Sequence, residues 1–284
     1  MALESMRTML ERARAGKYAV GHFNINGLLW AQAILQAAEA MRAPVILAAS
    51  DRLIHFLGGF KTIFGMVHGL IDEMGITVPV ALHFDHGATV ERCREAIDAG
   101  FTSVMIDGSP YPLEDNIRMT REVMAYARPR QVSVEAEVGI VGGSEDGMAQ
   151  TLRYANPQDC VRLVEATHID ALAAALGSVH GRYHGAPQLG FEMMQEIWEA
   201  TQTPLVLHGG SGIPAEQIRR AIALGHAKIN VNTESIQTWA HTLREILSRD
   251  PDVYEPRLIL TPCRDQVRVG VMEKIQEFGS YHRV

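Results

Sequence analysis

Asp85 and His86 stand side by side in the stretch Ala81–Gly87, "ALHFDHG". A carboxylate carries protons, and an imidazole carries protons or ligates a metal. The apolar run from Val78 to Leu82 leads into them as a strand would, and Gly87 stops it. Strand ends buried in a core rarely hold such groups, so the pair is either a satisfied structural cluster or part of a site. His180 and His208 lie far along the chain from His86, so the three form no short metal motif of the His-Glu-x-x-His kind. Brought together by a fold, three imidazoles would hold one ion and leave a position open, the arrangement of a catalytic zinc.

Bringing them together requires a repeating scaffold. Eight β-rich runs, 18–25, 43–50, 78–85, 103–109, 132–139, 170–177, 204–210 and 228–233, alternate with segments of helical period. "TVERCREAIDAG" and "PAEQIRRAIALG" are apolar at three- and four-residue steps and close in glycine. Eight such alternations in 284 residues predict an α/β fold, a (β/α)8 TIM barrel forming one domain over 1–284. An open doubly wound sheet is the runner-up. Helical patterns at 2–15, about 235–248 and 262–277 would be additions to the ring.

A barrel gathers its active site at the C-terminal ends of its strands, and the runs are polar at that end. Ser50 and Asp51 close the second, Asp85 and His86 the third, Asp107 the fourth; the fifth carries Glu135 and Glu137. The sixth leads to His180, the seventh ends in His208, and the eighth in Asn230, Asn232 and Thr233. His83, just inside Asp85, is expected to line the barrel, and His184 and His226 to be ordinary loop and helix-end residues.

"LHGGSG" (207–212) follows the seventh run and opens a helix, so its freed N–H groups suit a phosphate. "VGGSEDG" (141–147) reads as a solvated acidic turn or as a lid carrying Glu145 or Asp146. The four lysines, Lys17, Lys61, Lys228 and Lys274, fall outside the strand C-termini, so none is placed for a Schiff base, and Lys228 opens the eighth run at the far end. A phosphorylated carbonyl substrate would then need a metal as electrophile.

Net charge is −7 with no basic block, against nucleic-acid or anionic-membrane partners. No apolar run spans a bilayer, the N-terminus reads as an amphipathic helix rather than a signal peptide, and Cys93, Cys160 and Cys263 read as reduced thiols. A cytoplasmic protein is expected.

"GHFNINGLLWAQAILQAAEA", "VPVALHFDHG", "GFTSVMIDGS", "VSVEAEVGIVGGSED", "ALGSVHG", "PLVLHGGSGIP" and "AKINVNT" resemble the zinc-dependent class II fructose- and tagatose-bisphosphate aldolases nearly end to end. "INGLLW", "AASDRLIHFLGGFKTI" and "DALAAALGSVHG" are most similar to the inositol-catabolic branch. The resemblance implies a zinc ion on His86, His180 and His208, Asp85 as acid/base on the aldehyde-side hydroxyl, and Glu145 exchanging a proton on the dihydroxyacetone phosphate carbon. It implies phosphate and substrate contacts at Gly181, Gly209, Ser211, Asn230, Asn232 and Thr233. Asp107 and Glu137 would stand near the metal, with a monovalent cation (Na+ or K+) near Gly181. A homodimer or homotetramer is expected, and the branch implies cleavage of a phosphorylated keto-sugar acid to dihydroxyacetone phosphate and malonate semialdehyde. Fructose or tagatose 1,6-bisphosphate is the alternative substrate; a barrel subunit assisting an aldolase is the non-enzyme alternative, and a metal-dependent isomerase or epimerase another.

Three positions depart from the family pattern. Pro110 replaces a frequent histidine, Asn232 a frequent aspartate, and Ile236 an arginine that commonly meets a distal phosphate. Ser50 and Arg52, after the second run, could face the aldehyde half, where Arg52 offers a planar fork for a carboxylate. Its ordinary alternative is a surface pair with Asp51.

Overall fold

The computed structural model describes residues 3–145 and 148–284, and of Glu145 and Met148 the backbone alone. Its strands are β1 (Val20–Asn24), β2 (Val45–Ser50), β3 (Val80–Gly87), β4 (Ser103–Ile106), β5 (Ser133–Val138), β6 (Gly142–Glu145), β7 (Met148–Gln150), β8 (Ala171–Ala174), β9 (Val179–His180), β10 (Leu205–Leu207) and β11 (His226–Val231). Eight of them close into a parallel barrel in the order β1-β2-β3-β4-β5-β8-β10-β11, and each expected run holds one. The closed sheet settles the choice against an open one. Residues on both faces of these strands are buried, which explains their near-continuous Val, Ile, Leu and Ala content.

Helices α1 (Met6–Gly16), α2 (Leu28–Met41), α3 (Phe60–Glu73), α4 (Val90–Ala99), α5 (Leu113–Ala127), α6 (Pro157–Thr167), α7 (Phe191–Thr201), α8 (Ala215–Ala223), α9 (Thr233–Arg249) and α10 (Pro256–Glu277) follow in chain order. α4 shows how local chemistry sets the ends. Thr89 Oγ1 accepts from Arg92 N at 3.2 Å at its start, and the N–H of Gly100, left-handed at φ 107°, donates to the Ala96 and Ile97 carbonyls at its end. Between strands and helices lies one large apolar layer; Val45, Leu47 and Leu82 pack there against Ile34, Ile63 and Val67.

The helix expected at 2–15 is there as α1, an extra helix before the ring, and its Met6, Met9, Leu10 and Ala13 plug the N-terminal mouth against Val20, Ile46, Ala81, Ala171 and Val206. Ala81 and Ala171 among these inward residues are small, which leaves room for the plug. α10 begins at Pro256, six residues before the expected start, and Pro262 lies inside it. Either proline suits a first turn, where the missing N–H costs nothing. α10 packs on α2 and buries Cys263, Val267, Val271 and Ile275, while α9 lies over it with no fully buried residue.

Three strands stand apart. β6 and β7 form an antiparallel hairpin, and β6 also pairs in parallel with β9. Within the stretch expected as an acidic turn or lid, Gly142–Glu145 therefore pair in a small sheet, and Asp146 and Gly147 lie outside the described residues. Cys93, Cys160 and Cys263 are buried free thiols. Among the described residues no helix is long and apolar enough to cross a membrane.

Candidate active site and metal centre

Successive residues of a strand point to opposite faces, so Asp85 and His86 could not share a site on a regular strand. β3 breaks the rule. Its register on β4 runs from Phe84↔Val104 to Gly87↔Ile106, three steps against two, and His86 takes φ 53°. A bulge with a left-handed residue re-aims the chain. Asp85 then faces the barrel interior, with its oxygens 3.7 Å from His22 Nε2 and His83 Nε2, and His86 faces Asp107 and His208. Gly87 completes the bend because a Cβ there would lie 2.7 Å from Met105 O and 2.6 Å from the Phe84 ring.

The fold brings His86, His180 and His208 together with one ligand atom each inside 4.8 Å. His86 Nε2 and His208 Nδ1 are 3.1 Å apart, close to the roughly 3.3 Å edge of a tetrahedron with zinc–nitrogen bonds of about 2.0 Å. The outward nitrogens are held by carboxylates. His86 Nδ1 lies 3.0 Å from Asp107 Oδ2, and His208 Nε2 lies 2.9 Å from Glu135 Oε1. Such partners orient metal-binding imidazoles, so the donor set fits a zinc ion.

Burial opposes ionisation of Asp107, but hydrogen bonds from His86 and from the Ser109 N–H and hydroxyl outweigh it and hold the carboxyl well below the usual range. Burial, then the negative charge of Asp107, pushes Glu137 well above that range; its Oε2 lies 4.0 Å from His208 Nδ1. Burial, aided by His86, keeps His208 well below the ordinary imidazole value, as the neutral ligand form requires.

Lys228 is the main correction to the expected site. It sits in β11 as placed, but its side chain climbs inside the barrel, fully buried, to 2.9 Å from Glu135 Oε2 and 2.9 Å from Asn230 Oδ1. Side-chain length defeats an argument from Cα position. His83 lines the barrel as expected, with Nδ1 2.7 Å from Ser103 Oγ. His22, unremarked in the sequence, joins it. His22, His83 and Asp85 also cluster donor atoms within 4.8 Å. Burial and then the Lys228 ammonium hold both imidazoles well below their usual value, and that same charge opposes a cation there. His226 begins β11 rather than ending a helix, and its Nδ1–H donates to Ala221 O at 3.0 Å.

Gly181, Ser211 and Thr233 line one cavity with Arg182, Tyr183 and Glu234 at the N-terminus of α9. Gly209 carries φ 66° beside them, and its carbonyl accepts from the Tyr183 hydroxyl at 3.0 Å. Tyr183 also accepts from Val179 N at 3.1 Å, tying β9 to the loop after β10. Asn232 stands at the N-cap position of α9, its buried Oδ1 making no capping hydrogen bond.

A second cleft, beside His86 and His180, is lined by Ser50, Arg52, Asp107, Pro110, Tyr111 and Gln150. Asp51 also lines this cleft, but Arg92 and Ala88 N bind both of its oxygens at 2.6–3.0 Å. The side chain of Glu145 and all of Asp146 lie outside the described residues. Sequence reasoning missed His22, Tyr183 and Gln150; the spacing of Tyr183, three residues after His180, was the available signal for it.

The family model for fructose-bisphosphate aldolase class-II matches residues 4–283. A "6-phospho-5-dehydro-2-deoxy-D-gluconate aldolase" of Halalkalibacterium halodurans is 66% identical over 278 residues, 98% of this chain and 96% of the relative. A "Fructose-bisphosphate aldolase" of Geobacillus stearothermophilus is 57% identical, covering 99% of this chain and 98% of that one. The crystal structure of the YdjI aldolase from Escherichia coli K12 superposes with a TM-score of 0.85 at 33% identity, over 99% of each chain. With the barrel and its histidine cluster, these matches establish that the chain belongs to the class II fructose-bisphosphate aldolase family.

Proposed function

We propose that the protein cleaves 6-phospho-5-dehydro-2-deoxy-D-gluconate to dihydroxyacetone phosphate and malonate semialdehyde. The convergence of His86, His180 and His208 carries the aldol chemistry, with Asp85, next to His86 in β3, in the neighbouring His22–His83 cluster. Zinc held by the three imidazoles supplies a Lewis acid for the ketone carbonyl. Asp85 accepts the proton of the aldehyde-side hydroxyl as the carbon–carbon bond breaks, and Glu145 delivers the proton that completes dihydroxyacetone phosphate. Gly181, Gly209, Ser211, Asn232 and Thr233 hold the phosphate by N–H and hydroxyl donors, helped by the α9 N-terminus. Asn230 faces the substrate oxygens, and Glu137 and Asp107 flank the metal. The lysines support a metal over a Schiff base: Lys228 is ion-paired with Glu135, and Lys274 with Glu234 and Glu277. A sodium or potassium ion near Gly181 belongs to this proposal.

Relatives of similar identity bear two names, so the aldehyde half must discriminate. Two features favour a carboxylate there. Arg52 lines the cleft while Asp51 is committed to Arg92, and Ile236 leaves no arginine at that position for a distal phosphate. The exposed Ile236 and Leu247 on α9 support the expected homo-oligomer. Zinc-loaded enzyme should be assayed with both substrates, dihydroxyacetone phosphate being read through a reductase. Higher kcat/KM for the keto-acid phosphate is expected; preference for fructose 1,6-bisphosphate would overturn the substrate, and no three-carbon product from either would overturn the aldolase.

A further inference from the structure

Below the three histidines, Lys228 Nζ lies 2.9 Å from Glu135 Oε2 and 2.9 Å from Asn230 Oδ1, with Lys228 and Glu135 both fully buried. The other oxygen, Glu135 Oε1, lies 2.9 Å from His208 Nε2, and His208 Nδ1 faces His86 at 3.1 Å. We propose that Lys228 is a positioning residue that, through Glu135, sets the tautomer and ring orientation of His208 and, through Asn230, turns a substrate-facing amide. The proposal rests on the metal-centre reading above.

The logic is one of donors and acceptors. A carboxylate only accepts, so a neutral His208 must carry its proton on Nε2 to meet Glu135, which leaves the Nδ1 lone pair toward His86 and the ion. Alone, Glu135 could rotate; Lys228 fixes Oε2 and so reserves Oε1 for the imidazole. An ammonium has donors and no acceptor, so Asn230 must offer Lys228 its Oδ1. The Asn230 Nδ2 is then the group left for the substrate, a donor suited to oxygens. A buried ion pair is weak as a stabiliser, since well-packed apolar residues often replace one without loss. Geometry is the better reason for this one.

A glutamine at position 135 makes the test. In Glu135→Gln, Lys228 claims the amide oxygen, so the amide NH2 faces His208 and drives its proton to Nδ1, the nitrogen a metal needs bare. In the double variant Glu135→Gln/Lys228→Met the ammonium no longer claims that oxygen and only the more distant His83 Nε2, 3.9 Å from Glu135 Oε2, faces it, so glutamine can turn it back to His208. Metal-free protein labelled with 15N-histidine reports the tautomer by NMR, and competition with a chromophoric chelator reports zinc affinity.

The wild type is expected to show the Nε2–H tautomer. Glu135→Gln should switch it and weaken zinc about 10–100-fold; the double variant should regain the Nε2–H tautomer and part of the affinity. An Nδ1–H wild type, an unswitched single variant, or a double variant no better than the single would overturn the proposal. Should the single variant fail to fold with an uncompensated lysine, the wild-type tautomer and the charge-neutral double variant still decide it. Wild-type protein that binds no zinc would overturn the metal centre instead, while the tautomer of the metal-free protein still tests the relay.

Discussion

Arg52→Ala should change substrate choice more than turnover. Arg52 follows β2 on the rim of the cleft that holds His86 and His180, and the neighbouring Asp51 is committed to Arg92. In the keto-acid substrate the carboxyl carbon is two bonds from the aldehyde carbon, whereas in fructose 1,6-bisphosphate the phosphorus is four bonds away. The distal phosphate therefore reaches roughly 2.5 Å further at ordinary bond lengths, and one arginine cannot fit both equally. A hydrogen bond to a charged group contributes about 1.5–3 kcal/mol. Because Arg52 is exposed, solvent screening argues for about 1–2 kcal/mol, on the order of ten-fold in kcat/KM. Side-by-side kinetics on both substrates read this as a fall in the keto-acid to bisphosphate ratio. Arg52→Lys should recover only part of it, since an ammonium lacks the bidentate fork. Equal losses on both substrates would mean that Arg52 acts on the cleft in general, and an unchanged ratio would remove it from recognition.

Three further outcomes are expected. Asp107→Asn keeps the contacts to Ser109 but weakens the hold on His86 Nδ1, so zinc affinity should drop about 10–100-fold in a chelator competition, with little loss of folded protein. Glu145→Ala should slow proton exchange at dihydroxyacetone phosphate on the order of 10²–10⁴-fold while zinc content stays constant; greater damage from Asp146→Ala would identify the wrong carboxylate. His226 is buried with its pKa pushed down to about 4, against about 6.5 unfolded. Above about pH 6.5 its contribution is intact; below, the unfolded chain binds a proton that the fold refuses, and stability falls until about pH 4. His226→Asn should therefore close the gap to wild type by about 1.3 kcal/mol between pH 7.5 and 5.5, measured by urea unfolding of metal-free protein. A gap that stays constant with pH would show that His226 does not titrate in this range.

What could be read without coordinates follows from which groups the fold treats regularly. Eight apolar runs with polar ends pointed to the barrel, and strand-end position selected His86, His180 and His208 from twelve histidines. Contacts that depend on irregular backbone or long side chains were hidden. A bulge at Asp85 and His86 cannot be seen in an alternating pattern, because it consists of breaking that pattern. Lys228 acts several ångströms from its Cα, so its place in β11 said little about its ammonium. The glycines and carboxylates of 141–147 look like a turn, and only pairing with β9 makes Gly142–Glu145 a strand. The last helix is expected from Pro262, whereas it starts at Pro256 and carries Pro262 inside it.

That pairing of β6 with β9 has a mechanical consequence. Gly143 sits opposite His180, at φ 96°, with backbone so near that a Cβ would meet His180 O at 2.0 Å. The hairpin and the imidazole donor are thus riveted to each other, and neither can shift alone without tearing that seam. A methyl group added at position 143, on a residue with no ligand atom of its own, would act as a crowbar on the His86–His180–His208 cluster.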